Sequence, residues 1–371
     1  MTTFEHITLG QRVLFGAGRS AQNVAAEVSR LGASRVMVIA AEFERPMAET
    51  ATGQIGPALW WDEVIMHVPV EVAERARAAA EEESIDLLVC VGGGSTTGLA
   101  KAIALTTGIP IVAVPTTYAG SEATNVWGMT EDRTKTTGID DKVLPVTVVY
   151  DAEFTRSLPV ELSVSSGLNA LAHCIDSLWA PRADPINQAL ALEGSRALAA
   201  GLAGVTADPQ DMTAREETLH GAYLAAMSFA SAGSGLHHKI CHVLGGTFNL
   251  PHAQTHATVL PYVLAFNAPA VPELAQRLAI ALGRPDTGGQ DPARAAVEAL
   301  NTLRHTLGAP TALADCGFTA EGIPEAVERV LKAAPASNPV TATEENITDL
   351  LTAALEGTTP TPGLAVPAQS R

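Results

Sequence analysis

Four short aliphatic runs, separated by alanine-rich stretches, constrain this chain's fold more than any other feature. They are Arg35-Val-Met-Val-Ile-Ala40, Asp86-Leu-Leu-Val-Cys-Val91, Ile109-Pro-Ile-Val-Ala-Val114 and Val146-Thr-Val-Val-Tyr150. Between them the periodicity predicts helices over residues 20–31, 70–83 and 95–107. Near-continuous apolar strands joined by helices predict a parallel sheet covered on both faces, with ligands at the carboxyl ends of its strands. After residue 157 strand-like runs almost vanish, and Ala/Leu helical periodicity dominates from 160 to 356. The expectation is a Rossmann-like α/β dinucleotide-binding domain over 1–157, an all-helical substrate domain over 158–356, and a disordered Thr-Pro tail over 357–371.

A chain of 371 residues is long for one hydrophobic core, which agrees with two domains. Its net charge of -17 argues against nucleic acid and anionic membrane surfaces as partners, because both select basic proteins. No apolar run approaches the roughly 20 residues needed to span a bilayer. Cys90, Cys174, Cys241 and Cys316 form no CxxC pair, which suits buried free thiols in a reducing compartment. With no secretory pattern at the N-terminus, a soluble cytoplasmic protein is expected.

The second run leads straight into Gly92-Gly-Gly-Ser-Thr-Thr-Gly98 and then a helix. A glycine-rich turn that opens a helix presents backbone N–H groups and the positive end of the helix dipole, a cradle for a pyrophosphate. Gly92, Gly93 and Gly94 allow close approach, and Ser95 and Thr96 add hydroxyls. Three consecutive glycines exceed what a tight turn needs, although the pattern is not GxGxxG. The third run ends in Pro115-Thr-Thr-Tyr-Ala-Gly-Ser-Glu122. Thr116, Thr117 and Ser121 are candidates for holding a nicotinamide ribose or carboxamide, or they only cap the turn. Glu42, after the first run, can accept ribose hydroxyls and so favour NADH over NADPH, or it is a solvated loop residue.

The helical half carries a histidine constellation. Asn169 and His173 are four residues apart on one helix face, as are His238 and His242, and His252 follows Pro251. Three imidazoles and a carboxylate would hold a divalent transition metal. Asn169 stands where that carboxylate is expected, and a neutral amide is a poor ligand for such a cation. Cys174 and Cys241 point about 100° away from the adjacent His173 and His242 on their helices, so small core residues are the better reading.

The order GGGSxxxxAK, PTTxxxGSE, N-A-L-A-H and HxxxH…PH resembles the iron-containing alcohol dehydrogenase superfamily over the whole chain up to the tail. In its metal-dependent members the residue matching Asn169 is an aspartate, and those matching His173, His238 and His252 complete the metal site; the position of His242 lies near the nicotinamide. Gly98, where aspartate is common, and Asn169 depart from that pattern. Both departures, with Gly235-Leu-His-His-Lys239, are similar to the maleylacetate reductase branch, whose members reduce the C=C bond of maleylacetate to give 3-oxoadipate with NADH or NADPH, in breakdown of aromatic compounds. The branch implies a metal-free homodimer, with Asn169, His173, His238 and His252 as vestigial metal positions.

Such chemistry needs cations for two substrate carboxylates and a donor for the enolate formed when hydride adds β to the ketone. His242 and His237 are the candidate polariser or proton donor, as imidazolium or as neutral N–H, with His173, His238 and His252 completing the catalytic set. Asn169, Lys239, Tyr118, Lys135 and Arg133 are candidates for binding substrate. The rival readings are a metal-dependent alcohol or polyol dehydrogenase, a dehydroquinate-synthase-like lyase and a non-catalytic nucleotide-binding protein.

Overall fold

The computed structural model describes residues 3–131, 134–284 and 289–363, without the side chains of residues 134 and 135. Its contacts divide the chain into two compact units: Thr8–Leu158, and Pro159 onward together with the N-terminal segment up to Ile7.

The first unit contains β1 (Arg12–Phe15), α1 (Ser20–Leu31), β2 (Val36–Ile39), α2 (Arg45–Thr52), β3 (Leu59–Trp61), α3 (Val70–Glu82), β4 (Leu87–Gly92), α4 (Gly94–Thr107), β5 (Ile111–Pro115), β6 (Val126–Glu131), β7 (Thr134–Ile139) and β8 (Thr147–Tyr150). Six strands form one sheet in the order β1-β8-β5-β4-β2-β3, parallel at every pairing. The alternation of side chains explains why β2, β4 and β5 are apolar throughout. Met37, Ile39, Leu88, Cys90, Ile111 and Ala113 pack on one face with Val72, Ala76, Leu99 and Ile103. Val36, Val38, Leu87, Val89, Val91, Val112 and Val114 pack on the other with Val24, Ala48 and Ala51.

The four expected strands and the three expected helices are present, within two residues at their ends. Four further strands and α2 were not expected. β1 and β3 are only half-buried edge strands of four and three residues, too short to announce themselves by pattern. β6 and β7 form an antiparallel hairpin in a segment where no strand was expected, and Lys135 pairs with Thr130 in it. β7 reads Thr-Lys-Thr-Thr-Gly-Ile, so β-branched threonine carries its propensity without any apolar alternation.

The second unit is helical: α5 (Val160–Ser177), α6 (Pro185–Ala207), α7 (Met212–Ala232), α8 (Leu236–Phe248), α9 (His252–Asn267), α10 (Pro272–Ala281), α11 (Pro292–Thr306), α12 (Ile323–Ala333) and α13 (Glu344–Glu356). α8, α9, α12 and α13 share a core of Ile240, Leu244, Val259, Phe266, Val330, Ile347 and Leu351. In the segment expected to be a tail, Thr358 O accepts from the Tyr262 hydroxyl at 2.8 Å and Gly363 N donates to Ala265 O at 3.0 Å. Residues 364–371 lie outside the described residues. No helix among the described residues is long and apolar enough to cross a membrane, and the four cysteines are free thiols.

Candidate active site

In the α/β unit, register brings the nucleotide-binding candidates together. Gly92 at the end of β4 pairs with Pro115 at the end of β5, and Thr116 N donates to Gly92 O at 3.2 Å. Gly94 opens α4 and is exposed; Ser95, next in the chain, is half-buried, as is Thr117, whose side chain lies against Gly93. Thr96 and Thr116 are buried and face elsewhere than expected. Both hydroxyls donate to the Glu44 carboxylate, at 3.1 and 2.9 Å, and Gly93 N donates to it at 3.1 Å. Glu42, the acid singled out from the sequence, is exposed; Glu44, two residues on, is 4 % exposed. Burial raises the Glu44 pKa, against the hydrogen bonds from Thr116, Thr96 and the backbone. Gly92, with φ of +158°, has no room for a side chain, because a Cβ there would lie 2.3 Å from Thr96 Oγ1 and 2.4 Å from Glu44 Oε2.

Ser121 contributes its carbonyl rather than its hydroxyl to this unit's architecture. It accepts from Lys101 Nζ at 2.6 Å, and the same ammonium reaches Thr124 O and Val126 O, each at 2.8 Å. Lys101 is fully buried, and burial draws its pKa down to about 7. Tyr118 is also fully buried, which favours its packing role over a substrate-facing one. The side chain of Lys135 and all of Arg133 lie outside the described residues.

In the helical unit the histidines form one contiguous cluster. Ring centroids lie 4.8 Å apart for His173 and His238, 5.1 Å for His237 and His238, 4.9 Å for His237 and His256, 5.0 Å for His238 and His256, and 4.4 Å for His252 and His256. His242 lies 6.3 Å from His238 and is exposed, while His252 is half-buried. Phe229 stacks on both His173 and His238, at 4.7 and 4.5 Å. Asn169 is buried one helical turn before His173. Lys239, half-buried on α8, is close enough to oppose the rise that burial imposes on the Asp176 pKa.

Asp176 and His256 had not been singled out from the sequence, yet they organise the cluster. Asp176 accepts from His238 Nδ1 at 2.8 Å and from the backbone N–H groups of Gly235 at 2.9 Å and of His237 and His238 at 3.4 Å. It thus caps the start of α8, whose N-cap residue is a glycine. A Cβ on Gly235 would lie 2.2 Å from Asp176 Oδ1, so only glycine leaves room for the carboxylate. While Asp176 is ionised it can only accept, which places the His238 proton on Nδ1 and leaves Nε2 bare. His256 Nδ1 lies 3.0 Å from His237 Nε2, and Cys241 Sγ lies 3.6 Å from that nitrogen. The 3.6-residue period held the signals: Asp176 falls seven residues after Asn169 and His256 four after His252, each on the face already identified. The same period turns Cys241 away from His242 and onto His237.

Burial decides the protonation of these rings. Desolvation, reinforced by neighbouring imidazoles, lowers His173 to about 4 and His237 to about 3, and places His238 and His256 well below the usual histidine value. It raises Asp176 to about 7, against its backbone hydrogen bonds. Of the two forms expected at His237, imidazolium or neutral N–H, burial selects the neutral one near neutral pH. Asn169 Oδ1, His173 Nδ1, His237 Nδ1, His238 Nε2 and His256 Nε2 are all buried without a hydrogen-bond partner among the described residues. Five orphaned polar atoms in one cluster call for a polar ligand or water to satisfy them.

The family model described as "Fe-containing alcohol dehydrogenase family, C-terminal" matches residues 163–355, and "Iron-containing alcohol dehydrogenase" matches residues 10–152. A protein of Sphingobium indicum named maleylacetate reductase is 46% identical over 96% of this chain and 99% of its own length. The crystal structure of an iron-containing alcohol dehydrogenase from Corynebacterium glutamicum is 61% identical with a TM-score of 0.93, covering 97% of this chain and 99% of its own. That of a maleylacetate reductase from Agrobacterium tumefaciens is 41% identical with a TM-score of 0.90, covering 97% and 100%.

The family description implies iron, and the chain's donors can be tested for fit. Position 169 offers a neutral amide oxygen. Among the described residues, the set of three candidate ligands within 4.8 Å of one another is His237, Cys241 and His256. With an amide at position 169, the four expected metal positions offer neutral donors and no charged ligand to the cation. By sequence and fold, the chain belongs to the iron-containing alcohol dehydrogenase family, and within it stands with the maleylacetate reductases.

Proposed function

We propose that this oxidoreductase is a maleylacetate reductase, adding hydride from NADH or NADPH to the C=C bond of maleylacetate to give 3-oxoadipate. The observation that carries the reading is the neutral histidine cluster, with five unsatisfied polar atoms and an amide where a metal-binding carboxylate is expected. The similarity to proteins named maleylacetate reductase supports it.

In this reading the turn from Gly92 to Ser95 holds the cofactor pyrophosphate, with Thr117 and the Ser121 segment beside it. Hydride adds to the alkene carbon β to the ketone, charge moves onto the ketone oxygen, and a proton completes the α carbon. Neutral imidazole N–H groups aimed at the developing enolate stabilise it without a full positive charge. His237 and His256 are the natural donors, because the hydrogen bond between them leaves one outer nitrogen of the pair protonated. His242, exposed on α8, has the solvent access needed to renew the proton. Lys239 is the candidate partner for a substrate carboxylate, and Asn169 Oδ1 an acceptor for a water in the site. The enzyme works as a cytoplasmic homodimer, a setting that keeps its four thiols reduced.

The name borne by the 61% identical structure favours a metal-dependent alcohol dehydrogenase as the second reading. Oxidation of NADH or NADPH with maleylacetate, with and without excess EDTA, separates the two. Chelator-insensitive turnover supports the reductase with a metal-free histidine site. No turnover with either cofactor, or turnover abolished by EDTA and restored by zinc or iron, supports the metal enzyme.

A further inference from the structure

The Glu44 carboxylate sits inside the turn that the proposed function assigns to an anionic cofactor. Its position is built rather than incidental. Oε1 takes Gly93 N–H and the Thr116 hydroxyl, Oε2 takes the Thr96 hydroxyl, and Gly92 lacks the side chain that would displace it. These contacts come from three separate places in the chain: the end of β4, the first turn of α4 and the end of β5. A helix N-terminus following a glycine-rich turn ordinarily offers all its first N–H groups to an anion. Here one of them is already bound to a negative charge of the protein's own.

We propose that Glu44 is a positioning residue that holds the phosphate-binding turn in shape and, through its charge, weakens the turn's grip on the cofactor phosphates. The two effects have opposite signs, so a pair of substitutions separates them. Glu44→Gln is isosteric. Its amide oxygen still accepts from Gly93 and Thr116, and its NH2 group donates to Thr96 Oγ1 in place of accepting from it. The shape is kept and the charge removed. Glu44→Ala leaves Gly93 N and both threonine hydroxyls without their acceptor. The inference rests on the reading that this turn binds NADH or NADPH.

The experiment is equilibrium binding of NADH and NADPH, by quenching of tryptophan fluorescence or by calorimetry, to the full-length wild-type protein and both variants, with a thermal melt of each. Removing one charge a few ångströms from a phosphate is expected to tighten cofactor binding in Glu44→Gln by about tenfold. That gain should shrink at high salt, and Glu44→Ala should bind more weakly than wild type. A residue that only holds shape would leave Glu44→Gln equal to or weaker than wild type; that outcome overturns the inference and leaves the cofactor reading intact. Failure of the wild-type protein to bind either cofactor overturns the cofactor reading itself. Should Glu44→Gln fail to fold, Thr116→Val reports instead: it keeps the charge and removes one hydrogen bond. Weaker binding there, with an unchanged salt dependence, is expected; tighter binding refutes the positioning role.

Discussion

Removing Asp176 tests whether one buried carboxylate builds the histidine site. In Asp176→Ala, Gly235 N and His238 Nδ1 lose short bonds of 2.9 and 2.8 Å, and two longer backbone contacts go with them. Each buried donor left unpaired costs about 1–3 kcal/mol, and α8 loses its cap, so a total of about 3–5 kcal/mol is expected. Asp176→Asn is a different case. Turned so that its oxygen takes the place of Oδ2, the amide keeps both short bonds, exchanges charged acceptors for neutral ones, and should cost about 1–2 kcal/mol. Urea denaturation gives both stabilities, and 15N spectra of histidine-labelled protein read the tautomer of His238. The proton should remain on Nδ1 in the asparagine variant and redistribute to Nε2 in the alanine variant. Gly235→Ala supplies an independent check. Its Cβ would meet Asp176 Oδ1 at 2.2 Å, so it should destabilise wild type strongly and the Asp176→Ala protein much less. Equal losses for the two Asp176 variants, or full additivity of Gly235→Ala with Asp176→Ala, would refute the assignment of Asp176 as cap and orienter.

Three further outcomes follow from the same structure. His173 is depressed to about 4 by burial, so the unfolded chain binds the extra proton between that value and about 6.5. Its contribution is complete above the upper limit and falls by about 1.4 kcal/mol per pH unit as acidity increases. Denaturation from pH 7 to 4 should therefore be shallower in pH by about that slope in His173→Asn; identical slopes would contradict the assignment. Asn169→Asp places a carboxylate where Oδ1 has no donor. It should cost about 1–3 kcal/mol at pH 7 and much less at pH 5, where the group can be neutral; equal costs at both would show that the site supplies a partner. Lys101→Met keeps the buried volume and abandons three backbone carbonyls of the 121–126 segment. A loss of about 2–4 kcal/mol and faster proteolysis within that segment are expected, whereas wild-type resistance would mean that other donors replace the ammonium.

The features legible in the sequence are those repeated along it. β2, β4, β5 and β8 are buried or nearly continuous aliphatic strands, and their neighbours in the chain are amphipathic or alanine-rich helices, so pattern alone located them. β1 and β3 gain their identity only from the strand beside them, and the β6–β7 hairpin from cross-strand pairing that a local window does not contain. The candidate site divides the same way. Asn169, His173, His238 and His242 share helix faces at short spacing and could be read directly. The choice of Glu42 over Glu44 could not be made from sequence, because it depends on which acid turns inward toward a turn some fifty residues later. Asp176 shares a readable helix face with Asn169, but its role as cap and orienter was hidden, because its partners begin at Gly235, at the start of another helix.

On the metal-free reading proposed above, the placement of Asp176 also explains how a scaffold of this family can work with an amide at position 169. In a metal site the cation holds its imidazoles neutral by occupying one nitrogen, and an acid on the far nitrogen fixes the tautomer. Here His238 keeps the acid, through Nδ1, while Asn169 offers no charge to attract a cation. Burial takes over the cation's part in keeping the rings neutral. With His173, His237, His238 and His256 packed ring against ring, adding a proton to any one of them is opposed by desolvation and then by its neighbours. Neutral rings present bare nitrogens and N–H groups in fixed positions, which suits an uncharged ketone acquiring negative charge during reaction better than a permanent imidazolium that would bind the dianionic substrate tightly in its ground state. The consequence can be measured. Opening the cluster to water by truncating Phe229, which covers His173 and His238, should raise the histidine pKa values, tighten substrate binding and lower kcat. Loss of substrate affinity together with kcat would show instead that Phe229 serves to pack the site, and that the neutrality of the rings is incidental to the chemistry.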